Sequence, residues 1–255
     1  MVETGLQEFI AGSLSAQTPV ALWDHTFAYM QAQGADKMSY HHFRAGDGAR
    51  IDIMADGFPE DWVCEYISDE LYKVDPIPEL AAQMTRPFRW SDTARLASLA
   101  RRQRDYLETM QDRGIGDGLA IQVFGPGLRN GYVGLGFPQG TVPSSARVIS
   151  ELQMAAQVAH QRYCEMTDNE VWQRPELSPR EREILRWIAR GRSNSQISQV
   201  LNISPHTVDA HLRKIYDKLG VTDRTSAAIV GLGSSLIQPR VQRVRRSDVE
   251  RGDIK

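Results

Sequence analysis

Residues 177–228, LSPREREILRWIARGRSNSQISQVLNISPHTVDAHLRKIYDKLGVTDRTSAA, carry three helical patterns separated by stops too short for anything but tight turns. Ser178 can accept from the free amides of the next turn, Pro179 suits a first helical position, and Glu181 completes a capping box. Ile184, Leu185, Trp187 and Ile188 then recur at helical spacing, and Gly191 supplies a left-handed stop. Ser193 or Asn194 caps a short second helix with Ile197, Val200 and Leu201, which residues 202–205 break. In the third, from 205 to 219, Val208, Leu212, Ile215 and Leu219 form a buried stripe, while Asp209, Ala210, Arg213, Lys214 and Lys218 occupy the other face. Two helices joined by a tight turn, the second with a partly basic outer face, match the motif that lays a recognition helix in the major groove. A three-helix bundle whose charges are merely solvated gives the same apolar pattern.

Charge separates this end from the rest. Residues 177–255 hold 15 Lys and Arg against 8 Asp and Glu, net +7, leaving 15 against 24, net −9, for residues 1–176 of a chain whose net charge is −2. A basic module favours phosphate contacts, and an acidic one of this size does not. The 255 residues suit two domains, each with its own core. No run of about eighteen apolar residues is present, and MVETGLQEF lacks the basic-then-apolar order of a signal peptide, so a cytoplasmic location without membrane contact is expected. Cys64 and Cys164, a hundred residues apart, fit a reducing compartment and offer no metal cluster; both are read as small hydrophobes.

Before residue 177 the pattern is mixed. Residues 6–33 are helical with an interruption at Thr18-Pro19, and 37–43 and 50–55 have strand character around a turn at 45–48. Residues 59–67 and 92–112 read as helices, 119–124 and 132–137 as strands separated by the turn at 125–127, and 144–166 as a long amphipathic helix. The expected class is α+β: an α/β/α sandwich whose antiparallel sheet encloses a small-molecule pocket, followed by an all-α helix-turn-helix domain.

Two resemblances attach to these residues. Glu181, Leu185 and Gly191, followed by Thr207-Val208, His211 and Lys218-Leu219, stand at the spacing of the LuxR-type helix-turn-helix, over about a fifth of the chain. Trp62, Tyr66, Asp75, Pro76, Trp90 and Gly118 resemble, in order and approximate spacing, the hallmark residues of the autoinducer-binding domain of LuxR-family quorum-sensing receptors. Together they span nearly the whole chain and imply residues 1–166 as an N-acyl homoserine lactone domain, 167–176 as a linker, 177–238 as the DNA-binding domain and 239–255 as a charged tail.

The chemistry suits such a ligand. A lactone carbonyl, an amide N–H, an amide carbonyl and an apolar tail in a dry pocket need at least one donor and one acceptor from the protein. The resemblance gives the Trp62 indole N–H to the lactone carbonyl; Asp75 can accept the amide N–H, and Tyr66 and Trp90 can wall the ring and tail. Trp62 and Tyr66, four apart on a helix, share a face, which by itself also describes plain core. Gly118 is read as permitting close backbone approach. Phe43, Tyr106, Leu107, Met110 and Ile115 are further candidates for tail contacts. The sequence also departs from the family: Phe58 stands where many members carry a tyrosine that reaches the acyl carbonyl, and Gly134 where several carry Ser or Thr. The expectation is a ligand less dependent on polar recognition, or bulkier near the amide, with Gly134 providing room.

On the DNA side, Arg213 can read guanine and Ala210 a thymine methyl, while Asp209 either accepts from cytosine, excludes phosphate or pairs with Arg213. Ser193, Asn194, Thr207, Lys214 and Lys218 complete the candidate DNA contacts, Lys214, Lys218, Ser193 and Asn194 as phosphate-positioning groups. Symmetric operators imply a homodimer, with residues 144–166 and 224–236 as candidate interfaces and RNA polymerase as a partner for an activator. No cofactor beyond the signal ligand is expected. A response regulator would show a receiver domain's alternating parallel strands and helices, and a hydrolase a G-x-S-x-G elbow or metal spacing; neither order is found. A receptor of the same fold answering a non-lactone or host metabolite stays open.

Overall fold

The strand-forming runs of the first part of the chain pair into one antiparallel sheet, ordered β2-β1-β5-β4-β3. The strands are β1 (Lys37–Arg44), β2 (Arg50–Asp56), β3 (Phe88–Arg89), β4 (Asp117–Val123) and β5 (Gly131–Phe137). This computed structural model describes residues 5–44, 50–171, 175–234 and 236–237, with side chains omitted at 44, 50 and 168–171. The expected turn at 45–48 and the tail 239–255 lie outside them. Two compact units divide between Gln173 and Arg174.

Because successive strand residues point to opposite faces, the sheet serves two layers. Met38, Tyr40, Leu119, Ile121, Val133 and Leu135 face helices α1 (Leu6–Ser15), α2 (Pro19–Ala32) and α7 (Ala146–Val171), whose Phe9, Met30 and Leu152 close that layer. The alternate residues, among them Ala120 and Tyr132, face α3 (Glu60–Ser68), α4 (Pro76–Ala81) and α6 (Arg101–Asp112). The first unit is therefore the expected α/β/α sandwich.

Several boundaries differ from expectation. Residues 92–112 are not one helix: a 3₁₀ turn at Trp90–Asp92 leads into α5 (Thr93–Leu96), the chain breaks, and α6 restarts. Side chains satisfy the backbone groups exposed by that break, since Gln103 Oε1 accepts from the Ala100 amide and Arg104 donates to the Leu99 carbonyl. The long helix α7 continues to Val171, five residues past its expected end and into the segment read as a linker. Thr167 Oγ1 donates to the Tyr163 carbonyl at 2.8 Å there, a bond that stays within the helix. Two short elements were not expected: β3, and α4, which begins where Asp75 Oδ1 accepts from the Ile77 amide at 2.9 Å behind Pro76.

The second unit contains α8 (Pro179–Ala189), α9 (Asn194–Leu201), α10 (Pro205–Leu219) and α11 (Arg224–Gly233), the last ending three residues before Leu236. Each start is coded locally. Ser178, Ser193 and Ser204 each accept the amide three residues on, and Asp223 accepts two amides. Ile184, Leu185, Ile188, Ile197, Val208, Leu212 and Ile215 pack into one core. Gly231 lets α11 approach Leu185, whose Cδ2 lies 2.8 Å from where a Cβ would stand. Among the described residues no helix is long and apolar enough to cross a membrane.

Candidate functional site

The cavity of the first unit lies between the sheet and the α3/α4/α6 layer and is partly open to solvent. Each element contributes by its periodicity. Helix α3 turns Trp62, Val63, Tyr66 and Ile67 to it, and Phe58 precedes that helix. The sheet supplies Ser39 and His41 from β1, Ile53 and Ala55 from β2, and Tyr132 from β5. Asp75 and Ile77 border it from the start of α4, Tyr106 and Met110 from α6, and Trp90 from the 3₁₀ turn.

Asp75 is its electrostatic centre. Oδ2 accepts from the hydroxyls of Tyr66 at 3.0 Å and Tyr106 at 3.2 Å, while Oδ1 holds the Ile77 amide. Among the described residues no cation faces it, so desolvation dominates and pushes its pKa up to about 6, against the lowering effect of those three hydrogen bonds. An ionised carboxylate has about four lone-pair sites, so one acceptor position remains for a ligand. Burial, with the Asp75 charge second, also pushes the hydroxyls of Tyr66, Tyr106 and Tyr132 well up, and they remain donors at any working pH. Burial brings the His41 imidazole down to about 4, which keeps it neutral. The Trp90 indole donates to the Tyr132 hydroxyl at 3.1 Å. The Trp62 indole N–H, by contrast, makes no hydrogen bond among the described residues, although Trp62 is only 4% exposed.

Two glycines carry packing roles beside this cavity. A Cβ on Gly118 would lie 2.7 Å from the Trp90 ring, so only glycine lets the indole lie against β4. A Cβ on Gly134 would meet Ser39 Oγ at 2.6 Å and the Tyr132 hydroxyl at 2.7 Å. The room at Gly134 is thus taken up by the protein's own hydroxyls, which corrects the expectation that it makes space for a bulkier ligand.

In the second unit, the exposed face of α10 carries Ala210, Arg213 and Lys214. Arg213 Nη2 pairs with Asp209 Oδ2 at 3.1 Å, the intrahelical alternative among those open for Asp209. Lys218, expected to position phosphate, is committed elsewhere: its Nζ donates to Glu181 Oε2 at 2.8 Å and to the Glu176 carbonyl at 2.9 Å. Asn194 Oδ1 accepts from Arg224, Ser193 caps α9, and Thr207 shares its hydroxyl with Ser204. These polar groups build the motif as well as bordering its surface.

Residues 18–163 match the autoinducer binding domain family, and residues 175–230 match the bacterial regulatory proteins of the luxR family. The chain belongs to the LuxR family of quorum-sensing transcriptional regulators. It is similar to the quorum sensing-dependent regulator RpaR of Rhodopseudomonas palustris, 29% identical over 72% of this chain and 75% of that one. The transcriptional activator BjaR1 of Bradyrhizobium diazoefficiens is 25% identical over 73% and 76%. The crystal structure of Escherichia coli SdiA superposes with a TM-score of 0.70 at 21% identity, covering 92% of this chain and 98% of that one. A second SdiA structure, in complex with octanoyl-rac-glycerol, gives 0.66 at the same identity over 92% and 96%. The LuxR family consists of transcriptional regulators, not enzymes, and among the described residues no cluster of His, Cys, Asp or Glu could hold a metal ion.

Of the residues singled out in this LuxR-family sequence, Trp62, Tyr66, Asp75, Trp90, Phe58, Tyr106 and Met110 come together around the cavity. Gly118 and Gly134 lie beneath its walls. Phe43, Leu107 and Ile115 pack in the same layer without lining it. Sequence reasoning missed Ser39, His41, Ile53, Ala55, Val63, Ile67, Ile77 and Tyr132. The alternation of β1 and β5 does place Ser39 and His41 on one face, and Tyr132 with Gly134; which layer holds the cavity is a tertiary fact.

Proposed function

We propose that this LuxR-family regulator binds an N-acyl homoserine lactone in the cavity of its first unit and, as a homodimer, reads operator DNA through α10. The carrying observation is the pairing, in one cavity, of an unused indole N–H on Trp62 with a carboxylate on Asp75 that retains an acceptor position. A lactone head presents a carbonyl and an amide N–H, the complementary pair, and leaving either protein group unmet costs about 1–3 kcal/mol. Trp62 donates to the lactone carbonyl, Asp75 accepts the amide N–H, and Phe58, Ile53, Val63 and Met110 surround the acyl group.

The exposed apolar residues Met154 on α7 and Ile229 and Leu232 on α11 favour a dimer through those helices. Arg213 reads bases and Lys214 meets phosphate. The regulator works in the cytoplasm with no cofactor besides its signal, and contacts RNA polymerase where it activates. Ligand stabilises the bound state by mass action. The test is expression with and without a panel of unsubstituted, 3-oxo, branched and aryl lactones, measuring soluble yield, melting temperature and operator binding together. At least one lactone is expected to raise all three. A panel that moves none of them would favour a non-lactone metabolite as the signal.

A further inference from the structure

We propose that the Tyr132 hydroxyl is the donor that meets the ligand's acyl carbonyl, which makes Tyr132 a specificity-determining residue of this site. The inference rests on the lactone assignment above and follows from counting donors. An N-acyl homoserine lactone brings two carbonyls into the cavity. The Tyr66 and Tyr106 hydroxyls are spent on Asp75, and the Trp90 indole is spent on Tyr132. Trp62 has one N–H, enough for one carbonyl. The second must be met from the sheet, where Ser39, His41 and Tyr132 line the floor.

Burial sets Tyr132 and His41 apart from Ser39, and a hydroxyl already oriented by the Trp90 indole sets Tyr132 apart from His41. Tyr132 is 3% exposed, against a half-buried Ser39, and its oxygen accepts from the Trp90 indole while no acceptor for its own proton is present among the described residues. The Trp90 bond occupies one lone pair and turns the hydroxyl proton away from the indole. Such a proton, left unmet in a buried site, is costly, and a ligand oxygen answers it. Phe58 has no hydroxyl to offer. Gly134 has no side chain, and Tyr132, two residues before it on the same face of β5, carries its oxygen to 2.7 Å from the point where a residue-134 Cβ would stand. The hydroxyl that positions 58 and 134 lack is thereby restored from Tyr132. The Asp75 charge acts on Tyr132 as well as on Tyr66 and Tyr106, which puts the amide acceptor and this donor in one neighbourhood.

The experiment is a cycle in which the ligand carbonyl is the second partner. Full-length wild-type protein, Tyr132→Phe and the double variant Tyr132→Phe/Phe58→Tyr are titrated with N-hexanoyl-homoserine lactone and with its thioamide, whose sulfur is a weak acceptor. Wild type is expected to prefer the amide by roughly tenfold, the worth of a buried hydrogen bond. Tyr132→Phe should lose that preference, and Phe58→Tyr should restore part of it in the double variant. A Tyr132→Phe protein that retains the preference, or that weakens amide and thioamide equally, overturns the assignment. The wild-type preference requires no substitution to fold, and equal binding of the two ligands by wild type overturns it too. Wild type that binds neither ligand nor any other N-acyl lactone overturns the lactone assignment itself, which a failure confined to Tyr132 does not.

Discussion

Two carboxylates, one in each unit, begin from the same local code and end in opposite states. Asp75 caps α4 by accepting the Ile77 amide, and Glu181 closes the capping box of α8 by accepting the Ser178 amide. Burial works against both charges. Glu181 answers it with Lys218, and although desolvation pushes upward, the bonds from Lys218 and Ser178 prevail and hold its carboxyl below the usual range. Asp75 receives two tyrosine hydroxyls and a backbone amide but no cation among the described residues, and desolvation carries it up to about 6. A carboxylate whose counter-charge is built in stabilises its own domain. One left without a cation among the described residues, beside a cavity, is the group that the proposed function assigns to a ligand donor.

The largest effect that could break this comparison is at Lys218. Lys218→Met leaves Glu181, 4% exposed, without its cation, and should destabilise the second unit by about 2–3 kcal/mol in urea unfolding followed by amide exchange. Weaker DNA binding at unchanged stability would instead return Lys218 to phosphate contact. Next is Gly118→Ala, whose Cβ would press on Trp90 and the Leu135 carbonyl; the first unit should lose about 1–3 kcal/mol, and loss of lactone affinity should follow. Gly191→Ala in the second unit, with φ +73° and nothing within 4 Å of its Cβ, should cost only about 1 kcal/mol, from backbone strain alone.

Acidity separates the two carboxylates by sign. The folded value of Asp75 is raised, so its contribution favours the fold at low pH and is lost as pH rises from the ordinary carboxylate value through about 6. Glu181 is lowered, so its stabilisation is present above its ordinary value of 4.5 and is lost as pH falls through its folded value. If the ligand amide binds ionised Asp75, lactone affinity should fall about tenfold between pH 7 and pH 5, measurable by calorimetry. A flat profile would mean that Asp75 does not accept from the ligand. The smallest effect is at the exposed Asp209–Arg213 pair: Asp209→Ala should change stability by less than about 0.5 kcal/mol, yet alter the bases selected from random DNA. An unchanged selection would leave Arg213 indifferent to its partner.

The second unit was legible because its signals are local. Ser178, Pro179, Glu181, Ser193 and Gly191 mark helix ends within a few residues, and the stripe Val208, Leu212, Ile215 buries as its spacing requires. The sandwich was legible in class, since Trp62, Tyr66, Asp75 and Trp90 converge. Its finer features depend on partners distant in sequence. Phe88–Arg89 is a strand only because β4 pairs with it, and the break before α6 carries no glycine or proline to announce it. Gly134 suggested empty room, whereas the cross-strand pairs Ser39–Gly134 and His41–Tyr132 fill that floor with polar side chains. Lys218 looked like a free cation because Glu181 lies 37 residues away in the chain.

If the Asp75 carboxylate is held for a ligand amide, titration of full-length wild type and Asp75→Asn with the best binder of the lactone panel tests it most directly. Wild type is expected to bind saturably and the variant with an affinity lower by about 10- to 100-fold, the variant's unliganded first unit being no less stable at pH 7. Equal affinities, or a variant that fails to bind because its first unit has unfolded, would contradict that role for Asp75.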